Sequence, residues 1–573
     1  MPSHPVVIIG GGPVGMVVAM NLAVFGVRSI LVNVEPSSRW HPKGNTHNCR
    51  TMEHYRRLGI AGGLRKLGLP PDHPTDVGYF TSLNGWEVAR IRMPTERQKM
   101  DQLARATTTD QIPEPLFRAN QMYVEAELFR HIQTIPEIAP RYGWRCVGIA
   151  KRGEGFAITI EEVASGRQET LDCDYLVGCD GGHSFVRNWL GISYVGERPR
   201  DQIYGSGATV STHVRAPALY DRIIKHRCWQ YWTVSPKVRS NLVSLDGAGG
   251  FLFNIRIRNI DEPLDVAYIA RVFNDTVGEE VPFEFVGHWP WTAGQALVAE
   301  RFGEGGVWLA GDAVHLFTPT GGFGMNTGID DAANLGWKLA AMVQGWGGPH
   351  LLATYATERR PIALRNTGMA KQFSRSIGEV PAPTAMLEDT PAGAAARTEA
   401  SAILANFGEE FASIGIQLGA RYDGSPIIIS DGTAPPPDDP LRYAPSACPG
   451  GRAPHLFMPD RSSLFDHLGL GFTLLRLHGG HDARPLAAAA AARAVPLTTF
   501  DVTFPEGREL YGCDLALIRP DQHVAWRGEA SPADSHALID RVRGAANEVR
   551  SANQVRSANR VRRARIDQTG SIA

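Results

Sequence analysis

The pattern of apolar and polar positions changes along the chain, and each change predicts a different kind of element. Near the amino terminus a short β-branched run, Val6 to Ile9, is followed by a glycine turn, a stretch with helical spacing and a second apolar run. Short apolar runs bounded by glycine are typical of buried strands, and apolar residues three to four positions apart are typical of helices. The pattern therefore predicts a strand, a helix and a second strand over residues 6 to 35.

The turn of this unit carries glycines at the spacing GxGxxG, at Gly10, Gly12 and Gly15. The first glycine allows the tight turn, the second lets backbone approach a pyrophosphate, and the third lets the helix pack on the strand. Glu35 follows at the end of the expected second strand, where a carboxylate can accept both hydroxyls of an adenosine ribose. We interpret the unit as a dinucleotide-binding fold, with a glycine-rich loop of another α/β protein as the alternative.

Between Arg187 and Gly303 the pattern changes to short alternating runs bounded by turn residues, which is typical of antiparallel strands. A hairpin signal at Leu83-Asn84-Gly85 indicates that the segment from Asp76 to Pro94 joins the same sheet. Aromatic residues concentrate in this part of the chain, where they are more often core than substrate contacts. They are Trp229, Tyr231, Trp232, Phe251, Phe253, Trp289 and Trp291.

Composition changes twice towards the carboxyl terminus. After Lys371 the sequence becomes rich in Pro, Ala and Thr, and we interpret residues 373–400 as a linker. Residues 546–573 contain a near-repeat with six arginines and few apolar residues. Such a segment cannot bury a core, so we expect a solvated, disordered tail rather than a nucleic-acid site.

Charge and cysteine content narrow the class of partner. The 58 Lys and Arg residues nearly balance the 59 Asp and Glu residues, so no overall field favours nucleic acid or an anionic membrane. The seven cysteines form no CxxC pair and no zinc spacing, and we expect no metal. No basic n-region or cleavage site is seen ahead of Val6, so we expect no signal peptide, and no apolar run approaches the ~18 residues that span a bilayer. We therefore expect a cytoplasmic protein whose partner is a small molecule.

Two further glycine motifs follow in the chain. Asp180-Gly181 ends an apolar run in DYLVGCDGGHSFVRNWLGI, and Gly311-Asp312 opens a glycine-rich stretch ahead of a long expected helix. Bare backbone at a helix start presents N–H groups that stabilise negative charge. Together with the GxGxxG turn, these motifs make the sequence resemble the flavoprotein aromatic hydroxylases, the single-component monooxygenases related to para-hydroxybenzoate hydroxylase and phenol hydroxylase.

The resemblance implies an α/β fold, with a Rossmann-like FAD-binding domain, an inserted antiparallel-sheet substrate domain and a C-terminal thioredoxin-like domain. Because the last domain has no CxxC, it cannot exchange thiols, and we interpret it as a packing or dimerisation module that would allow a homodimer. The implied ranges are 1–75, 105–190 and 300–372 for the FAD-binding domain, 76–104 and 191–299 for the substrate sheet, and 401–545 for the thioredoxin-like domain.

The resemblance also implies the contacts with FAD. Asp312 would bond the ribityl chain, and the Pro319 loop would lie against the isoalloxazine ring. Main-chain N–H groups from Gly321 to Asn326 would face the pyrimidine edge of the flavin, and Gln121 would touch FAD from a helix start. His183 departs from the arginine that is frequent in the family. The expected cofactor residues are Gly10, Gly12, Gly15, Glu35, Gln121, Asp180, Gly181, Gly311, Asp312, Pro319, Gly322, Gly324, Met325 and Asn326.

The implied reaction uses NADPH or NADH to reduce FAD, after which O2 adds to the reduced flavin as a hydroperoxide and one hydroxyl is transferred to an aromatic ring. A phenol attacks best as its phenolate, so a base near the ring would help. His47 and Tyr231 are our candidates, and His47 is equally explained as a satisfied polar residue beside the flavin. We expect a substituted single-ring phenol as substrate, with a polycyclic aromatic intermediate as the alternative.

Two other functions share the FAD fold. A flavin halogenase is suggested by Trp289-Pro290-Trp291, but the Ile-Pro that should follow is replaced by Thr292 and Ala293. A non-catalytic FAD-binding protein is the second alternative. A scaffold should consume no reduced nicotinamide, whereas a halogenase would need chloride and a separate reductase.

Deletion of residues 547–573 is expected to leave turnover and FAD content unchanged, because the arginine-rich repeat has too few apolar residues to bury a core. The comparison is between the full chain and the truncated chain, measured by flavin absorbance per protein and by NADPH oxidation. A large loss of activity would show instead that the tail reaches the site.

Overall fold

A computed structural model describes residues 4–197, 207–257, 265–293, 295–378, 380–411, 413–477 and 481–546. The basic segment for which we expect disorder lies outside these ranges from residue 547 onward. Among the residues in them, no helix is both long and apolar enough to cross a membrane.

The amino-terminal unit forms as the sequence predicts. Strand Val6–Ile9, helix Pro13–Ala23 and strand Ser29–Asn33 follow each other, and the two strands pair in parallel. A Cβ atom on Gly15 would lie 1.9 Å from the Gly10 carbonyl oxygen, so the helix can pack this closely only with glycine there. All four residues of the first strand are buried, which is typical of a central parallel strand covered on both faces.

This strand is central to a six-stranded sheet that is parallel except at one edge. The α/β fold expected from the sequence is confirmed here. In spatial order the strands are Gly303–Glu304, Val307–Leu309, Tyr175–Gly178, Val6–Ile9, Ser29–Asn33 and Ile138–Tyr142.

Three smaller antiparallel sheets lie around it. One is made of Gln168–Cys173, Gly155–Glu162 and Trp144–Arg152, the second of Tyr194–Glu197, Ala296–Ala299 and His315–Leu316, and the third pairs Thr46–His47 with Phe117–Arg118.

A seven-stranded sheet forms where the sequence predicts the inserted antiparallel sheet. The expected hairpin at Leu83-Asn84-Gly85 is confirmed, because the strands on either side of it pair and join this sheet. All neighbouring strands are antiparallel except one pair. The spatial order is Glu284–Ala293, Gly207–Arg215, Gly250–Arg256, Arg239–Ser244, Gln230–Val234, Val77–Phe80 and Glu87–Ile91.

The aromatic residues of this sheet belong to two separate hydrophobic clusters. Tyr231, Phe251 and Phe253 are buried in one cluster with residues of helix Val266–Val277. Trp229 lies in a different cluster, on the other face. The aromatic side chains thus serve two environments. Trp229 precedes strand Gln230–Val234, so the alternation of side chains along that strand does not set its position.

Further helices occur along the described part of the chain up to the carboxyl-terminal module. They are Cys49–Arg57, Ala61–Leu64, Glu96–Ala104, Gln121–Ile132, Phe185–Trp189, Phe323–Val343, Ala353–Gly378, Pro391–Ala405, Gly408–Phe411 and Ile414–Leu418, with shorter turns at Leu219–Ile223, Gly311–Ala313, Thr320–Gly322, Thr384–Leu387 and Leu464–Asp466.

The segment expected to be a linker is different in the structure. Helix Ala353–Gly378 continues into it, and helix Pro391–Ala405 begins after Thr390, whose side chain accepts a hydrogen bond from the Gly393 N–H. Met386 and Leu404 are buried against the seven-stranded sheet. Alanine favours helices and proline is common at their first position, so the same composition that suggested a linker suits a packed helix.

The carboxyl-terminal module has the strand and helix order expected of a thioredoxin-like domain. Its first strand begins at Phe472, and the expected boundary at 401 stays a prediction. The sheet order is Leu497–Asp501, Phe472–Arg476, Leu515–Ile518 and Val524–Gly528, with helices Arg484–Ala491, Pro505–Tyr511 and Ser535–Val542.

A buried charge cluster joins this module to the rest of the chain. The Glu358 carboxylate accepts hydrogen bonds from Lys338 at 2.6 Å and from Arg519 at 2.7 and 2.8 Å. All three side chains are fully buried. Burial alone would raise the pKa of Glu358, but Arg519 and Lys338 outweigh it and hold that pKa at about 2. The cluster is therefore ionised at neutral pH.

Replacement of Glu358 by alanine is expected to cost about 3–5 kcal/mol of folding stability, because two buried cations lose their partner. Thermal unfolding of the Glu358→Ala variant measures this loss, and Glu399→Ala, at an exposed glutamate of helix Pro391–Ala405, is the control. Equal unfolding midpoints in the two variants would contradict the role given to the cluster.

Candidate active site

A cleft of about 370 Å³ opens at the carboxyl ends of the parallel strands. This edge is where open α/β sheets bind ligands. Seven of the expected cofactor residues line it, namely Gly10, Gly12, Gln121, Asp180, Gly181, Asp312 and Met325. The other seven, Gly15, Glu35, Gly311, Pro319, Gly322, Gly324 and Asn326, are not among the lining residues.

The glycine turn forms one wall of the cleft. A Cβ atom on Gly10 would lie 2.2 Å from the Cys179 carbonyl oxygen, and one on Gly11 would lie 2.5 Å from the Tyr142 hydroxyl. At Gly12 nothing lies within 4 Å of the Cβ position, so that side of the backbone is open. The turn leads directly into helix Pro13–Ala23. Helix starts of this kind bind phosphate groups through their N–H groups, so the wall fits the pyrophosphate of a dinucleotide.

The acid expected at the end of the second strand does not lie there. The strand ends at Asn33, whose side-chain oxygen accepts a hydrogen bond from the Gly11 N–H at 3.0 Å and which lines the cleft. Glu35 lies two residues beyond the strand and is exposed. Because the strand ends two residues earlier than the sequence pattern predicts, Asn33 takes the position predicted for Glu35. Strand register, rather than residue type, was the signal that could have identified it.

Tyr194 connects the two later motifs. Arg187, six residues after Gly181, donates a hydrogen bond to the Tyr194 hydroxyl at 2.9 Å, and that hydroxyl donates to the Asp312 carbonyl oxygen. Arg187 also donates to the Ala313 carbonyl oxygen at 3.3 Å. The Asp312 side chain is thereby held at the cleft, exposed and without a packing role.

Asp180 places a second carboxylate in the cleft wall. One of its oxygens accepts a hydrogen bond from the Val186 N–H at 3.1 Å. The other is buried and has no hydrogen-bond partner among the residues that the structure describes. Burial raises the pKa of Asp180. An unpartnered buried oxygen beside an open cleft is ready to accept a hydrogen bond from a hydroxyl-rich ligand.

Cationic side chains, which the sequence reading missed, line the same cleft: Arg39, Lys43 and Arg145. Burial, followed by the charge of Arg39, lowers the pKa of Lys43, while Asp312 and Glu125 oppose that shift. Positive groups beside a glycine turn suit a pyrophosphate. Gln121 also lines the cleft and donates to Glu125 at 2.5 Å.

The glycine-rich loop before helix Phe323–Val343 is held against an adjacent strand. Gly321 and Gly322 have φ values of 80° and 65°, which favour glycine. Asn326 donates to the Thr46 carbonyl oxygen at 2.9 Å and accepts from the Asn48 N–H at 2.9 Å. Its side chain therefore fixes the neighbouring backbone, and the expected approach of this loop to the flavin stays a prediction.

His47, the first candidate base, is fully buried in the FAD-binding region. Its ring lies 6.0 Å from that of Tyr55 and 6.2 Å from that of Phe117. Burial lowers the pKa of His47 to about 4. A group that is neutral and so weakly basic at pH 7 is poorly matched to removing a phenol proton.

Tyr231, the second candidate, lies on the face of the seven-stranded sheet that packs under helix Val266–Val277. Its hydroxyl accepts a hydrogen bond from the Cys228 N–H at 2.8 Å, and burial raises its pKa far above the usual value. Neither candidate lines the cleft. Their positions therefore argue against the catalytic roles expected from the sequence. Residue type and region do not show which face of a strand a side chain occupies, so the sequence alone could not reveal these positions.

The comparisons with known proteins agree with this geometry. The profile of the FAD binding domain family matches residues 3–370, and that of the C-terminal domain of aromatic-ring hydroxylases matches residues 446–546. The structure of chromopyrrolic acid-soaked RebC with bound 7-carboxy-K252c is 34% identical, with a TM-score of 0.85, and the match covers 95% of this chain and 99% of that one.

Two relatives of this chain have names that describe hydroxylation of different substrates. A putative polyketide hydroxylase of Streptomyces halstedii is 31% identical over 92% of this chain and 94% of its own length. Phenol 2-monooxygenase of a Pseudomonas species is 28% identical over 94% of this chain and 92% of its own length. With both family profiles matched and a cleft that fits a dinucleotide, the chain belongs to the FAD-dependent aromatic hydroxylases and is a flavoprotein monooxygenase.

Proposed function

We propose that this monooxygenase hydroxylates a phenolic ring that is part of a fused-ring molecule, using O2 and NAD(P)H. FAD, once reduced by NAD(P)H, supplies the activated oxygen. The protein binds and orients both molecules and keeps water from the reacting centre. The observation that carries the fused-ring proposal is a line of polar side chains across the seven-stranded sheet.

The cofactor contacts of this proposal follow the cleft. The glycine turn and the start of helix Pro13–Ala23 would hold the pyrophosphate, with Arg39 and Lys43 beside it. Asn33 would bond the adenosine ribose, and Asp312 would bond the ribityl chain. These assignments are supported by the open side of Gly12 and by the exposed position of the Asp312 side chain.

The line of polar side chains, here called the polar ladder, crosses five adjacent strands. It lies on the face opposite helix Val266–Val277, because its members alternate with the residues buried under that helix. Each member is hydrogen-bonded to the next. The contacts are Trp232 to Gln230 at 2.9 Å, Asn241 to Gln230 at 3.4 Å, Asn254 to Asn241 at 3.2 Å, Ser211 to Asn254 at 2.6 Å and Trp291 to Ser211 at 2.8 Å.

The polar ladder faces the FAD-binding region. Trp289 pairs with Ser211 across the strands and therefore lies on the same face. Its ring stacks on His41 at 4.8 Å and meets Trp40 edge to face at 5.0 Å. Both partners lie between Arg39 and Lys43, which line the cleft. A substrate held between the sheet and the flavin would therefore meet the polar ladder.

The length of the polar ladder favours a large substrate. Neighbouring strands are about 4.8 Å apart, so five strands span about 19 Å. A single benzene ring covers little more than one of these intervals, whereas fused rings with several oxygen substituents could use the amide and hydroxyl groups of the ladder together. The likeness to a polyketide hydroxylase supports this choice, and the likeness to phenol 2-monooxygenase keeps a single-ring substrate as the alternative.

Two further expectations are unaffected by these observations. A homodimer and a cytoplasmic location both stay predictions. The halogenase and scaffold alternatives lose their support, because the matched family and the named relatives are monooxygenases and hydroxylases.

Fused-ring phenols are expected to be the better substrates, and Asn254→Ala is expected to lower kcat/KM for them about tenfold through loss of a substrate hydrogen bond. The rate of formation of hydroxylated product over a range of substrate concentrations gives kcat/KM for phenol and for 1-hydroxyanthraquinone. Asn406→Ala, at an exposed asparagine, is the control. Efficient hydroxylation of phenol alone would reject the fused-ring proposal in favour of the single-ring alternative.

Asp312→Ala is expected to purify with most of its FAD missing, because the carboxylate is proposed to hold the ribityl hydroxyls. Flavin absorbance per protein gives the loss directly. Asp101→Ala, at an exposed aspartate of helix Glu96–Ala104, should keep the wild-type content. Stoichiometric FAD in the Asp312 variant would overturn the assignment.

A further inference from the structure

A carboxyl group that the sequence pattern does not single out lies against the glycine-rich loop before helix Phe323–Val343, here called the flavin loop because we expect it to approach the flavin. Glu410 is part of the short helix Gly408–Phe411, within the region that follows the FAD-binding domain. One oxygen of its side chain accepts a hydrogen bond from the Gly321 N–H at 2.8 Å. Glu410 is partly exposed rather than fully buried.

The residues facing Glu410 come from two other elements. Arg118, from strand Phe117–Arg118, is 6% exposed, and its guanidinium lies 3.8 Å from the Trp229 ring centre and 5.9 Å from that of Phe411. Tyr79, from strand Val77–Phe80, has a buried hydroxyl with no hydrogen-bond partner among the residues in the described ranges. The negative charge of Glu410 acts to raise the pKa of both side chains.

This group of residues adjoins the face that carries the polar ladder. Trp229 and Tyr79 belong to the hydrophobic cluster on that side of the sheet, together with Val243 and Leu252. Those two residues alternate with Phe251 and Leu242, which pack under helix Val266–Val277. Glu410 is therefore placed between the flavin loop and the face of the sheet that we propose binds the substrate.

The electrostatic setting of Glu410 suits a base. Burial raises its pKa to about 7, and the Gly321 N–H and Arg118 limit the rise. Arg118 itself has a pKa lowered to about 9 by burial, so it is cationic at neutral pH. A general base is most effective when its pKa lies near the working pH. His47, with a pKa of about 4, does not meet this condition.

We propose that Glu410 is the catalytic base that accepts the hydroxyl proton of the aromatic substrate. The inference rests on the proposed function, since it assumes a phenolic substrate at this site. The phenol O–H bond breaks, its electron pair stays on the phenol oxygen, and the proton goes to the Glu410 oxygen that is not bonded to Gly321. Arg118 balances the negative charge that develops on the phenolate.

The first test measures protons rather than turnover. At pH 8 the Glu410 carboxylate and free 4-nitrophenol are both largely ionised, so binding of the anion beside the carboxylate should draw about one proton from solution. An indicator dye in weak buffer follows this uptake when the holoenzyme is mixed with 4-nitrophenol or with alizarin, a fused-ring phenol. The Glu410→Gln variant should take up none, because its amide is neutral yet still offers an oxygen to the Gly321 N–H.

Glu409→Gln is the matched control, since Glu409 is the adjacent glutamate and is exposed. It should take up as many protons as the wild-type protein. Equal FAD content in all three proteins shows that the flavin loop is intact. A wild type that takes up no proton with either anion, or a Glu410→Gln variant that matches the wild type, overturns the proposal.

The second test uses the pH dependence of hydroxylation. With phenol, which is un-ionised at neutral pH, kcat/KM of the wild type should rise as pH passes through about 7 and then level off. Glu410→Gln should lose this rise and fall about 100-fold, the usual contribution of a positioned base. With a substrate already ionised at the assay pH the loss should be below tenfold. An unchanged pH profile in the variant overturns the proposal.

These measurements separate two kinds of failure. If the wild type hydroxylates no phenol, the proposed function fails, while proton uptake still reports on Glu410. If hydroxylation proceeds but uptake is absent, only the assignment of Glu410 fails. A merely structural role of Glu410 would alter FAD content or stability and would leave both the proton stoichiometry and the pH profile as in the wild type.

Discussion

The structure depends on the way Asp331 and Arg359 are paired in the core of the FAD-binding region. Arg359 donates to Asp331 at 2.8 Å, and the other oxygen of Asp331 accepts from the Gly311 N–H at 3.2 Å and contacts His315 at 2.6 Å. Both charged side chains are fully buried. One ion pair thus fixes two long helices and the start of the motif that presents Asp312. Breaking such a pair is costly, so the loop has little freedom to leave the cleft.

The local sequence was sufficient to predict the structure wherever the backbone geometry depended on residues close together in the chain. The turn at Gly10, Gly12 and Gly15 and the hairpin at Leu83-Asn84-Gly85 both formed as predicted, because each is set by glycine conformations and by short-range hydrogen bonds. The family and its cofactor could be inferred for the same reason, since the three glycine motifs are local. Asn33 was missed because a difference of two residues in the end of a strand changes which side chain faces the cleft.

The base could not be found from the sequence because its position depends on contacts between distant parts of the chain. Glu410 meets Gly321 across 89 residues, and Arg118 comes from a strand still further away. The Pro- and Ala-rich segment before Glu410 looked like a linker, and only its packing against the sheet shows that it brings a carboxyl group to the flavin loop. The face that Tyr231 occupies could not be predicted for a related reason, since the alternation of side chains along a strand decides which of two faces a residue serves.

The buried charge cluster around Glu358 limits how related proteins can exchange their carboxyl-terminal modules. Arg519 belongs to the carboxyl-terminal module, while Glu358 and Lys338 belong to the FAD-binding region, and the ion pairs between them are fully buried. The module is thus a component of the monooxygenase core and not an appended unit. Exchange of this module between related enzymes would succeed only where both partners keep complementary charges at these positions, which couples the inheritance of the two regions.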